Sequence, residues 1–197
     1  MSVSTVAGVS QSRDELGGML EELAAVAREA REVFGGLSAA QLNWKPAPEQ
    51  WSVGQCFDHL IVTNRTFFPD MEKVAAGTYR SSLWGRVSPL SGFFGRYILG
   101  ALDPTQGRKI KAPRAFLPAS SDVDGEVIGR FVGNLSEVAA HMRATEGVDL
   151  GRTIVTSPAM ALVTYSLLDV YRIFVAHARG HFEQARRVTR TAGFPSA

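Results

Sequence analysis

His177 and His181 stand four residues apart in a segment of helical pattern, the spacing at which two imidazoles can serve one metal ion. On a helix their Cβ atoms lie about 6 Å apart on one face, near enough for both rings to reach a common cation. Ile173 and Phe174 share that face, so the imidazoles point towards a packed interior rather than towards water. Gly180, beside them, removes bulk that could obstruct a ligand. Taken alone, a helical pair of this kind is more often a hydrogen-bonded core pair than a ligand pair. His59 shifts the balance, because it falls on a different helix, at the edge of its buried face, and can supply a third nitrogen. Three neutral imidazoles leave a divalent cation its full charge and an open coordination position, as at catalytic zinc sites rather than closed structural ones. His141, three residues after Val138, reads as a partly exposed histidine and as the reserve ligand if His59 lies too far away.

Other groups offer chemistry with simpler alternatives. Cys56 precedes His59 by three residues and could be a thiolate nucleophile or fourth ligand; nothing beside it lowers its pKa, so core packing is the expectation. Asp58 and Asp169 could orient a ligand histidine through its second ring nitrogen or act as a base, although Asp58 projects towards solvent. Glu183 has an ion-pair partner four residues on in Arg187.

These side chains need helices to carry them. Leu16, Leu20, Leu23, Ala27, Ala30 and Phe34 recur at helical spacing and predict a first helix over 12–34, capped by Ser12 with Glu15 and ended by Gly35-Gly36 in the left-handed conformation. A second capping box, Ser38 with Gln41, opens a short turn, and Lys45-Pro46-Ala47-Pro48 makes a connector. Ser52 with Gln55 opens the second helix, over 52–76, with Trp51 placed to staple onto Cys56 and Pro69 ending or kinking it. A third helix is expected over 121–145, capped by Asp122 or Ser121, with Val123, Val127, Phe131, Leu135, Val138 and Met142 inward. A fourth is expected over 159–191, burying Val170, Ile173, Phe174 and Val188 and turning Arg172, Arg179, Glu183, Arg186 and Arg190 outward. Four such helices without convincing strands or repeats predict an all-α four-helix bundle forming a single domain over 1–197.

Between the second and third helices lies an irregular insert, 78–119, with a short helix expected over 91–101. It holds seven basic residues against one acidic residue, Asp103, together with Trp84, Phe93, Phe94, Tyr97 and Phe116. It reads as a lid that attracts an anionic substrate, as a nucleic-acid patch, or as filler anchored by its aromatics, with the lid preferred to the patch.

Composition narrows the classes further. A net charge of +2 argues against a nucleic-acid partner, and one cysteine precludes an internal disulfide framework and suits a reducing cytoplasm. The first fifteen residues lack the pattern of a secretory signal, and Asp169 and Arg172 interrupt the longest apolar stretch, so no membrane partner is expected. At 197 residues the chain needs no metal merely to fold, so a metal site calls for a functional reason.

The segment from Leu42-Asn43-Trp44-Lys45-Pro46-Ala47-Pro48 through Trp51-Ser52-Val53-Gly54-Gln55 to His59-Leu60 resembles a loop and second-helix motif of the DinB-like (YfiT-like) superfamily, with His59 at its first ligand position. His177, His181 and Gln184 look like the fourth-helix motif, and Gly193-Phe194-Pro195 is similar to a frequent ending. The resemblance covers most of the chain outside the insert. It implies a bundle, often dimeric, that binds zinc or nickel through His59, His177 and His181, in a superfamily with metal-dependent hydrolases and thiol-dependent transferases or isomerases. The expected function is therefore a divalent-metal enzyme activating water or a small-molecule thiol, acting on a small, anionic or thiol substrate as a homodimer. The alternative is a non-catalytic binding bundle with a structural or incidental metal.

Overall fold

The computed structural model describes residues 3–81, 95, 97–100, 116–118, 122–160 and 162–196, with side chains from residue 14 onward. Helix α1 (Val3–Phe34) leads to the short α2 (Ala39–Asn43), then α3 (Val53–Arg65) and α4 (Phe68–Ala75). After the insert come α5 (Val127–Ala144), strands β1 (Ile154–Thr156) and β2 (Thr164–Ser166), and α6 (Leu167–Thr189).

α1 and α3 each pack against both α5 and α6, so α1 stands diagonally opposite α3, and α5 opposite α6. Both diagonal steps use long connections: 35–52, which contains α2, and 145–166, which contains the hairpin. This arrangement sets α3 directly beside α6 and so brings His59 to the histidines of the last helix.

Capping chemistry explains where α2, α3 and α6 begin. Both Ser38–Gln41 and Ser52–Gln55 form reciprocal capping boxes. Pro69 sits in the first turn of α4, where its missing amide hydrogen costs nothing, and α3 ends just before it. Asn43 pins the approach to α5, donating to the Val123 carbonyl at 2.7 Å and accepting its amide at 2.8 Å. At the far end, Gly193 adopts φ +88°, turning the chain so that Phe194 packs edge-on against Trp44 and the Pro195 carbonyl accepts from Gln41 at 3.1 Å.

Several boundaries differ from the sequence reading. α1 begins at Val3, so Ser12 lies inside it; no proline separates the two. Gly35 and Gly36 are not left-handed, and the Gly35 amide continues the helical pattern to the Arg31 carbonyl at 3.0 Å. α5 starts at Val127 rather than 121, because Val123 is held outside the helix by Asn43. The last helix starts at Leu167, capped by the Ser166 hydroxyl, and the residues before it pair as an antiparallel hairpin. Of the helix expected over 91–101, Gly95 and residues 97–100 are helical; the rest of it, with Trp84, Phe93 and most of the basic cluster, lies outside the described residues.

The core joins all four long helices through aromatic rings. Phe34 of α1 meets Phe57 of α3 at 5.1 Å and Phe182 of α6 at 5.3 Å, while Phe57 meets Phe131 of α5 at 4.8 Å. All four rings are buried. Along α6, Arg172 bonds Glu15 of α1, and Arg179 bridges Glu22 and Glu29, so the charged side of the last helix is docked onto the first rather than free in solvent. None of the described helices is long and apolar enough to cross a membrane.

Candidate metal centre

Phe57 and Phe182, locked in the aromatic core, fix how α3 and α6 face each other near His59 and His181. His59 and His177 are buried, and His181 is half-buried. One ligand nitrogen from each of the three lies within 4.8 Å of the others, and Nε2 of His59 is 3.0 Å from Nε2 of His177. The ring of His181 meets the other two edge-on at 4.7 Å. Among the described residues no cysteine or carboxylate joins the group.

The electrostatics favour neutral rings. Burial, with the nearby rings of His181 and His59, drives the His177 pKa well below its ordinary value. His181 is pushed down to about 3, by burial first and then by His59; the Gln184 side chain opposes the shift and Arg187 adds to it. Burial also lowers His59, against the pull of the Phe116 carbonyl and the Asp58 charge. At neutral pH all three rings are therefore unprotonated, as metal ligands must be.

Second-ring-nitrogen contacts set the tautomer. Nδ1–H of His59 donates to the Phe116 backbone carbonyl, which leaves Nε2 as a bare acceptor. Thr63 Oγ1 stands 3.5 Å from the same Nδ1. On the other wall, Nδ1 of His181 is a buried nitrogen without a hydrogen-bond partner. Two facing Nε2 atoms, an orphaned imidazole nitrogen and an all-imidazole donor set fit a divalent cation of the zinc class.

The remaining candidates go elsewhere. His141 faces Phe68 at 4.4 Å and Glu72 at 4.0 Å, outside the triad, so the reserve ligand is not drawn in. Cys56 is fully buried and its thiol is pushed up to about 12, which removes it as a nucleophile. Asp169 accepts from Ser166 and Arg172, and Asp58, buried rather than solvent-facing, lies 4.0 Å from Arg130. Glu183 pairs with Arg186 at 3.1 Å instead of Arg187, the i+3 neighbour being in reach first. Trp51 is the contact that sequence reasoning placed differently: its indole lies 4.8 Å from the His59 ring and stacks on His181 at 5.5 Å.

The fold and the cluster together define a helical bundle with a buried three-histidine centre between its second and last long helices. A family model, the DinB superfamily, matches residues 22–185, and the chain belongs to that superfamily. No curated protein and no solved structure matches the chain.

Proposed function

We propose that this protein is a divalent-metal-dependent enzyme, a hydrolase or thiol-dependent transferase, in which His59, His177 and His181 hold zinc or nickel. The observation that carries this reading is the convergence of three unprotonated imidazoles from two helices within 4.8 Å. A zinc-class ion bound by them supplies Lewis acidity, enough to bring the pKa of water to about 7 and to deprotonate a coordinating thiol, so both reactions need the same donors.

The chain's own residues prepare that chemistry. The Phe116 carbonyl holds the His59 proton at Nδ1 and keeps Nε2 free to coordinate. Burial keeps protons off His177 and His181 at neutral pH. Because the donors are neutral, the centre retains a cation's full positive charge, which suits a small anionic substrate or a low-molecular-weight thiol better than a neutral one.

Turnover of small hydrolysable anions, and of thiols offered an electrophilic acceptor, tests the reading with and without a chelator. Loss of turnover on chelation, with recovery on adding zinc or nickel, is the expected result. Turnover that survives both chelation and His177→Ala would sink the metal-enzyme reading.

A further inference from the structure

We propose that Trp51 is a positioning residue of the centre, its indole holding the rings of His59 and His181 in the orientation in which their nitrogens converge. The inference rests on the reading of the three histidines as a metal site and adds a residue to it.

An imidazole on a helix has a broad, two-fold torsion at its ring bond, so the backbone alone does not set which way its nitrogens face. His59 has one further restraint, its Nδ1 bond to the Phe116 carbonyl. His181 has no such bond from outside its helix: its buried Nδ1 is unpartnered and open to a cation, and the polar side chain acting on its ring, Gln184, belongs to the same helix. From across the helix interface the His181 ring meets His59 edge-on and Trp51 nearly parallel, at 22°. The same indole tilts at 53° over His59, on the neighbouring helix. One rigid side chain therefore touches two of the three rings, and those two come from different helices.

The indole is itself held in place. Trp51 immediately precedes Ser52, the N-cap of α3, which is fully buried. The Ser52 amide donates to Gln55 Oε1 at 3.2 Å, and the Gln55 amide donates to Ser52 Oγ at 3.2 Å. This reciprocal box fixes the backbone from which the indole projects, so helix-start chemistry is transmitted to ring orientation. Rings held in their binding orientation before the cation arrives spare the entropy of ordering them afterwards.

The test is zinc(II) affinity of the full-length chain, measured by competition with a chelator, for the wild type, Trp51→Leu, Trp51→Phe and Trp44→Leu. Trp44 is the control, because its ring packs on Phe194. Trp51→Leu is expected to weaken zinc binding by about 10–100-fold, the usual range for losing a group that orients a ligand. Trp51→Phe, which keeps a flat ring, should recover most of that loss, whereas Trp44→Leu should lower the Tm and leave zinc affinity unchanged. If Trp51→Leu does not fold, Trp51→Met, unbranched and ringless, takes its place. Wild-type affinity in the ringless variant, or an equal loss in Trp44→Leu, overturns the positioning role and leaves the metal reading intact. A wild type that takes up neither zinc nor, in the same competition, nickel overturns both.

Discussion

Cys56 lies one helical turn before His59, yet burial assigns it to packing: a thiol pushed up to about 12 is un-ionised at any working pH. Cys56→Ala should therefore cost about 1 kcal/mol, the scale of one small buried group, and leave metal uptake unchanged. Thiol reagents should fail to label the wild type until it is unfolded; rapid labelling of the native protein would contradict the assignment. The histidines make a second prediction. Their pKa values are lowered in the folded chain and return to about 6.5 on unfolding, so below about pH 6.5 the unfolded state binds more protons and folding stability falls with pH. The urea midpoint of metal-free protein should drop between pH 7.5 and 5, by less in His177→Ala; equal drops would mean these rings are not the source. The triad was legible because two histidines at helical spacing and a third on another apolar face are side-chain signals. The Phe116 contact was not, since a backbone carbonyl has no signature in residue type. Trp51 precedes its helix, where its position suggested a staple rather than a wall of the site.

Two helix starts were readable because capping is local: Ser38 with Gln41 and Ser52 with Gln55 form the bonds that their spacing implies. Ser52→Ala should destabilise the protein by about 1 kcal/mol in chemical denaturation, as N-cap losses do, and no change would show that α3 needs no cap. The β1–β2 hairpin escaped notice because three-residue strands are too short for alternation to register, and Val163 to Leu167 reads equally well as helix. The starts of α1 and α5 were misplaced for opposite reasons. A plausible cap at Ser12 was overridden by helix-compatible residues before it, whereas Val123, apolar and in phase, was drawn out of the helix by a distant asparagine.

Across the whole molecule, one aromatic cluster ties the four long helices together and sets the facing of α3 and α6. Phe57→Ala should cost about 3–5 kcal/mol, the range for truncating a buried phenylalanine, measured as loss of unfolding free energy. A much smaller cost would mean that the cluster does not hold the bundle. The bundle itself was legible from four apolar stripes, but its diagonal order was not, because each stripe says that a helix packs and not which neighbours it packs against. That order decides the site, for it sets His59 beside the last helix instead of across the core. The most direct measurement is therefore metal content by mass spectrometry on tag-free protein, wild type beside His181→Ala. Near-stoichiometric zinc or nickel in the wild type, lost in the variant, is the predicted result. Protein that is metal-free and takes up neither ion, or a variant that keeps full occupancy, would contradict the three-histidine centre.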